Sequence, residues 1–127
     1  MRTWSITIPA PCEWINANKR EHWRTTADKV AEWRTAGCAA ATQAKLPTIK
    51  RAHIDAVLHF RNSARRDAHN WYPTLKALVD GLVDHGLLAD DSTRYLTGPD
   101  IRVGDVLPKA PYGPVGEVVL TITEVAP

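Results

Sequence analysis

Residues 65–70 hold the side chains best suited to chemistry, a carboxylate and an imidazole two positions apart. In an extended segment Asp67 and His69 would point the same way, because residues two apart share a face. Carboxylates suit Mg²⁺ or Mn²⁺, whereas an imidazole favours softer divalent ions. Arg65 and Arg66 precede them and are suited to gripping phosphate. The pattern indicates a metal site beside a phosphate, and the alternative is a surface loop of mixed charge.

A lysine and two acids follow at helical spacing. Lys76, Asp80 and Asp84 are successive i,i+4 positions, so on a helix they share a face. A lysine near a metal site stabilises the charge that develops on a phosphate during cleavage. The alternative, which the spacing alone favours, is an exposed Lys–Asp pair that contributes roughly a few tenths of a kcal/mol to stability.

An acidic pair comes just after the apolar residues Leu87 and Leu88. Adjacent residues of an extended chain point in opposite directions, so one of Asp90 and Asp91 is expected to share a metal ion with Asp67. The other is expected to hold the loop through backbone N–H groups. Such pairs are also common in turns, which is the alternative interpretation.

The loop over residues 16–24 interleaves amide, basic and aromatic side chains. Cations bind phosphates, and an indole stacks on an unpaired base. These features predict a nucleic-acid contact, whereas the alternative is that Trp23 only anchors the loop to the core. The basic and aromatic residues of the loop are Lys19, Arg20, His22, Trp23 and Arg24.

The pattern of apolar residues predicts the elements that must position these side chains. Alternation predicts strands over residues 2–8, 49–60 and 117–125, with short strands near residues 94–97 and 102–103. Apolar residues three or four apart predict a helix over about residues 25–44, capped by Thr25 or Thr26. A second helix is expected from Pro73 to a stop at Gly86. The order β-α-β-α-β-β indicates an α/β (α+β) domain in which two main helices pack on a mixed sheet.

Length, charge and composition limit the class of protein. The 127 residues suit one domain, and no apolar run approaches the length of a membrane span, so no membrane partner is expected. Cys12 and Cys38 show neither metal-site spacing nor a disulfide framework, which fits a reducing cytoplasm. Residues 1–66 hold 12 Lys and Arg against 5 Asp and Glu, whereas residues 67–127 hold 4 against 9. This split suits a phosphate-rich partner held near a cation, although ordinary surface charge accounts for it equally well.

The order and spacing of these segments resemble the RusA family of Holliday-junction resolvases. The family's central pattern is Arg-Arg-Asp-x-Asp-Asn, then a helix with Lys-x-x-x-Asp, then Gly, then Asp-Asp. The strands that begin at Trp4 and run through Leu120 are also similar to the family's first and last strands, so the resemblance covers nearly the whole chain. The corresponding central residues are Arg65-Arg66-Asp67-Ala68-His69-Asn70, then Lys76 and Asp80, then Gly86, then Asp90-Asp91.

The resemblance implies a homodimer that binds four-way DNA junctions and nicks two strands symmetrically with Mg²⁺. By position, it implies that Asp67 and Asp91 bind the metal, that Asp90 is a supporting acid and that Lys76 is the catalytic lysine. Asp80 matches a recurrent position without an assigned role. The basic residues expected to hold backbone phosphates are Lys19, Arg20, Arg24, Arg65 and Arg66.

Two features depart from the family pattern. His69 stands where the family has an aspartate, and the loss of one negative charge favours Mn²⁺ over Mg²⁺, unless His69 does not bind metal at all. Residues 71–73 lengthen the connection to the second helix, which would move Lys76 relative to Asp67. Two alternatives therefore stand beside a junction resolvase. One is a junction-binding protein with weak or lost catalysis, and the other is a nuclease that acts on flaps or forks.

Overall fold

A computed structural model describes residues 1–108 and 115–126 of the chain. Its elements follow the predicted order β-α-β-α-β-β, with one added 3₁₀ turn before the second helix. The two short strands expected near residues 94–97 and 102–103 are one continuous strand. The elements are β1 (Thr3–Pro9), α1 (Trp23–Gln43), β2 (Ala52–Phe60), the 3₁₀ turn η1 (Ala68–Trp71), α2 (Tyr72–His85), β3 (Leu96–Val103) and β4 (Gly116–Glu124).

The four strands form one mixed sheet in the order β1-β4-β2-β3. β4 pairs antiparallel with both β1 and β2, whereas β2 and β3 are parallel. A parallel pair needs a long crossover, and the segment containing η1 and α2 provides it. The predicted fold class, a small α/β (α+β) domain with a mixed sheet and two main helices, is confirmed.

One face of the sheet is buried, as the alternation predicts. Every second residue of β2 from Ala52 to Phe60 is buried, and so are Val118, Leu120 and Ile122 of β4. Trp33 of α1 and several leucines of α2 belong to the same core. The other face of β2 carries mostly polar side chains at intermediate exposure, so a ligand can reach them.

The two helices approach each other closely at two glycines. A Cβ atom on Gly81 would lie 2.2 Å from the carbonyl oxygen of Arg34, and one on Gly37 would lie 2.6 Å from that of Leu78. Contacts this short leave no room for a methyl group, so these glycines set the spacing of α1 and α2. The register of the helices in turn fixes where α2 presents its polar face.

The helix ends agree only in part with expectation. The side chain of His22, rather than Thr25 or Thr26, caps α1 by accepting a hydrogen bond from the backbone N–H of Arg24. Gly86 ends α2 in the left-handed region at φ 103°, as predicted. Among the described residues, none of the helices is both long and apolar enough to cross a bilayer.

Candidate metal and nucleic-acid site

The ammonium group of Lys76 is the centre of a cluster on the exposed side of α2. Lys76 donates to the Oδ1 atom of Asp80, one helical turn away, at 2.7 Å. It also donates to the Oδ2 atom of Asp91, which lies beyond the end of the helix. The spacing predicted the first contact, whereas the second depends on the path of the chain after Gly86.

Buried leucines direct that path. Leu87 donates its backbone N–H to the carbonyl of Leu82, and both Leu87 and Leu88 are buried in the core. The chain is thereby held against the helix while it turns back, and Asp91 arrives beside Lys76. Packing of two apolar side chains therefore places an acid that lies 15 positions from Lys76 in the sequence.

Both charges of the Lys76–Asp91 contact are stabilised. Hydrogen bonds from Lys76 to Asp80 and Asp91 raise the pKa of the lysine above its ordinary value. The hydrogen bond from Lys76 lowers the pKa of Asp91 below its ordinary value. At neutral pH the cluster thus holds one ammonium and two acidic side chains, which leaves carboxylate charge available to a cation.

Asp90 stabilises the loop next to this cluster. Its Oδ1 atom accepts a hydrogen bond from the backbone N–H of Asp91 at 2.7 Å, and its side chain is exposed. This contact agrees with the expectation that one acid of the pair holds the loop through a backbone N–H group. The expectation that the other acid shares a metal ion with Asp67 stays a prediction. Asp91 is the member that faces Lys76.

Asp67 begins η1 and caps it. Its Oδ1 atom accepts a hydrogen bond from the backbone N–H of His69 at 3.2 Å. The premise that residues 67–69 are extended is wrong, because His69 lies inside the 3₁₀ turn rather than on a strand. An aspartate that captures the N–H two residues ahead favours such a turn. Both side chains are exposed, and η1 leads directly into α2.

Four of the five predicted phosphate-binding residues fall into two neighbouring segments, and the fifth, Arg24, lies in the first turn of α1. Lys19 and Arg20 are exposed in the N-terminal loop, and the backbone N–H of Ala17 in that loop donates to the carbonyl of Asn70 in η1. This hydrogen bond ties the loop to the segment that carries Asp67. Arg65 and Arg66 precede Asp67 in the second segment, and Arg65 is exposed whereas Arg66 is partly buried.

Trp23 does not anchor its loop to the core. It is the first residue of α1, and 67% of its surface is exposed. Its ring stacks on that of His22 and lies under the guanidinium of Arg24, 5.2 Å away. Because most of its surface is exposed, the alternative that Trp23 only anchors the loop to the core is wrong. An exposed indole flanked by a cation suits contact with an unpaired base or a phosphate.

Sequence reasoning missed a group of three ligand-type side chains on the exposed face of the sheet. Among the described residues, one group of three or more His, Cys, Asp or Glu side chains has its ligand atoms within 4.8 Å of one another, and none of Asp67, His69, Asp90 and Asp91 belongs to it. The Nε2 atom of the histidine in the group lies 3.0 Å and 3.4 Å from two carboxylates. The members are His53, Asp55 and Asp100.

Strand register creates this group. Asp55 lies opposite Asp100, and His53 lies opposite Thr97, with a bulge between the two pairs. Thr97 contacts the Nδ1 atom of His53 at 2.8 Å, so the Nε2 atom is left to the carboxylates. A proton on the Nε2 atom of His53 can be shared with the two acids, or a divalent cation can bind between this nitrogen and the two carboxylates. The alternation of β2 already places His53 and Asp55 on one face, but the third member requires the register of β3.

A search of protein-family models and of curated proteins found no match to this chain. The resemblance to the RusA family therefore stays a prediction.

Proposed function

We propose that this chain is a divalent-metal-dependent endodeoxyribonuclease that cuts branched DNA, with four-way junctions as its principal substrate. The observation that carries this proposal is the contact between Lys76 and Asp91. A nuclease needs a carboxylate to bind the metal and a cation to stabilise the phosphate, and here the two groups are adjacent on the exposed side of α2.

Asp67 and Asp91 would hold the metal ion. Oxygen ligands of this kind suit Mg²⁺ and Mn²⁺, and both carboxylates are accessible, at exposed and partly exposed positions. A bound divalent ion supplies a water of lowered pKa and polarises the scissile phosphate. Asp90 fixes the backbone of Asp91, so it acts as a positioning residue.

Lys76 would stabilise the negative charge that develops on the phosphate. Its raised pKa keeps the ammonium protonated throughout the physiological range. A phosphate oxygen can accept the third hydrogen bond of the ammonium, because an NH₃⁺ group has three donors and the two carboxylates use two of them. Asp80 would then hold the lysine while Asp91 turns to the metal.

Basic residues of the N-terminal loop and of the segment before Asp67 would hold the DNA backbone. The N-terminal loop is joined to η1 by the hydrogen bond between Ala17 and Asn70. The cations of the loop and those that precede Asp67 therefore lie in linked segments. Binding through such residues depends on phosphate neutralisation, so affinity is expected to fall steeply with salt concentration.

A homodimer in the cytoplasm is the assembly that we propose for this activity. A four-way junction has strands related by a two-fold axis, and a two-fold dimer presents two equivalent sites to them. Selectivity would then come from the shape of the junction and the placement of its phosphates rather than from base sequence.

The group formed by His53, Asp55 and Asp100 offers a second location for the metal ion. It already gathers three ligand-type atoms, which the predicted set does not. It lies on the open face of the sheet, and it lacks a lysine among the contacts that its histidine makes. We favour the position beside Lys76, because a metal ion at that position and the ammonium of Lys76 could act on the same phosphate.

The test is cleavage of a synthetic four-way junction in Mg²⁺ or Mn²⁺. Asp91→Asn should abolish cleavage while junction binding survives, because the amide removes a charged metal ligand but keeps the shape of the side chain. Asp84→Asn is the matched control, since Asp84 lies on α2 and pairs with Arg34 at 2.5 Å. It should cleave at the wild-type rate, and so should His53→Ala. Wild-type cleavage by Asp91→Asn would remove Asp91 from the mechanism, and loss of cleavage in His53→Ala would move the metal to the sheet.

The same assay separates the alternative functions. A wild-type protein that binds the junction but cuts in neither metal is a junction-binding protein. Faster cleavage of flaps or forks than of four-way junctions, compared at one salt concentration, would instead make it a flap or fork nuclease.

A further inference from the structure

A cavity of about 480 Å³ lies between the end of β2, the N-terminal loop and η1. Sites for small ligands typically have volumes of about 300–1,000 Å³, so this one can admit a group as large as a nucleotide. Three aromatic rings form its inner wall. The ring of Trp14 lies 4.4 Å from that of Phe60, and Phe60 lies 5.0 Å from Trp71.

Arg66 extends this aromatic wall. Its guanidinium lies 3.8 Å from the centre of the Phe60 ring, and it donates hydrogen bonds to the backbone oxygens of Asn62 and Ala64 at 2.9 Å and 3.0 Å. These contacts hold the guanidinium plane in place against the ring. A nucleobase stacks on such a plane as it does on an aromatic side chain.

The rim of the cavity is mainly basic. Among the described residues that line it, Lys19, Arg61 and Arg66 are cations and Glu13 is an acid. A phosphate is the anion expected beside a stacked base, and a basic rim favours it. Aromatic walls together with a basic rim are the combination by which proteins bind single-stranded nucleic acid.

One residue of the cavity wall, Trp71, carries a polar atom without a partner. The Nε1 atom of Trp71 is buried and forms no hydrogen bond within the described part of the chain. A buried donor that lacks an acceptor is destabilising, so the packing of the Trp71 ring against Phe60, and not a hydrogen bond, holds this wall in place.

We propose that this cavity binds one unstacked nucleobase of a DNA strand, with the adjoining phosphate held by its basic rim. The inference rests on the proposed nuclease function, because it places the base beside the cleavage site. Asp67 and Trp71 are separated by four steps of a 3₁₀ turn, which span about 8 Å. Bases at a branch point are the least costly to unstack, so the cavity would select branched DNA by capturing one of them.

The experiment measures binding without cleavage, in EDTA, by fluorescence anisotropy. Two labelled ligands are compared, a short oligothymidylate and an abasic chain of the same length and charge. The wild-type protein should bind the oligothymidylate about tenfold more tightly or better, since each stacked base contributes measurably to affinity. Arg66→Lys keeps the charge but removes the plane, so this preference should fall to about twofold, mainly through weaker binding of the oligothymidylate.

Arg94→Lys is the matched control, because Arg94 also lies over an aromatic ring, Tyr95, at 5.8 Å, but outside the cavity. It should keep the full preference. If Arg66→Lys does not fold, Trp71→Leu removes one ring of the aromatic wall and is measured on the same two ligands, with the same loss expected. Equal binding of both ligands by the wild-type protein, or a full preference in the cavity variant, would overturn the base site. Cleavage is not measured in this experiment, so the two proposals can fail separately. A protein that prefers the oligothymidylate but does not cut DNA supports the base site and contradicts the nuclease function. A protein that cuts DNA without this preference contradicts the base site alone.

Discussion

Thr74 is the only polar residue in the buried core of the described chain. Its contacts allow the loss of stability on replacement by valine to be worked out. Its Oγ1 atom accepts a hydrogen bond from the backbone N–H of Ile15 at 2.9 Å and donates one to the carbonyl of Ile15 at 3.0 Å. One hydroxyl on α2 therefore satisfies both backbone groups of a buried residue in the N-terminal loop. The same loop contains Trp14 and Lys19, which line the cavity.

The cost of Thr74→Val follows from the two backbone groups that lose their partner. Each buried group left unpaired costs about 1–3 kcal/mol, and valine has nearly the same shape as threonine, so no cavity forms. We expect the free energy of unfolding to fall by about 3 kcal/mol, and the melting temperature by about 12 °C. Thr74→Ser keeps the hydroxyl and loses one methyl group, so it should cost only about 1 kcal/mol.

The assay is urea unfolding followed by tryptophan fluorescence, with an unchanged dependence on urea as the sign that only stability has changed. Thr48→Val is the matched control, because Thr48 donates one hydrogen bond, to Gly86, from an exposed position where water can replace it. It should cost less than about 1 kcal/mol. If Thr74→Val costs no more than Thr48→Val, the two hydrogen bonds to Ile15 do not stabilise the loop as we argue.

Four further predictions follow from the site and the core. Lys76→Ala should slow junction cleavage by about a hundredfold or more without unfolding the protein, measured by single-turnover kinetics and circular dichroism, and a wild-type rate would make the lysine a surface residue only. Lys76 lowers the pKa of Asp91 in the folded protein, so their coupling stabilises the fold above the unfolded-state pKa of about 3.9. This stabilisation is lost as the pH falls through the lower folded-state pKa. A double-mutant cycle should therefore show a coupling of at most about 1 kcal/mol at neutral pH and none in acid. His69→Asp should raise the ratio of Mg²⁺-supported to Mn²⁺-supported cleavage, and an unchanged ratio would show that His69 is not a ligand. Gly81→Ala should lower the free energy of unfolding by about 3 kcal/mol, since the added carbon would lie 2.2 Å from the carbonyl oxygen of Arg34, and a stable variant would show that the helices can separate.

The elements that bury one face were predictable from the sequence. Strict alternation identified β2, and Gly86 marked the end of α2 because the left-handed conformation there favours glycine. β3 was predicted as two pieces, because Gly98 and Pro99 interrupt its pattern, yet the bulge beside β2 absorbs them within one strand. Local patterns thus predict elements well where no partner strand has to compensate for an unfavourable residue.

Contacts between distant segments were less predictable. The pairing of Lys76 with Asp80 follows from helical spacing, whereas its contact with Asp91 depends on how Leu87 and Leu88 pack after the helix. The turn that Asp67 caps was missed, because side-chain capture of a nearby N–H competes with extension and leaves no periodic signal.

The acids of the sheet face show the same limit. His53 and Asp55 share a face by alternation alone, but Asp100 joins them only through the register of a parallel strand. Register is a tertiary property, because it is set by the crossover and the bulge rather than by the residues of either strand. Candidate ligands on one strand can therefore be identified from sequence, while the completed group cannot.

We propose that one cation binds between Asp67 and Asp91, beside Lys76. The most direct measurement is an anomalous difference map from a crystal soaked in Mn²⁺. We predict a peak whose coordination shell contains carboxylate oxygens of both Asp67 and Asp91. A peak held by His53, Asp55 and Asp100 instead, or carboxylates of Asp67 and Asp91 too far apart to share an ion within one chain or across a dimer, would contradict the claim.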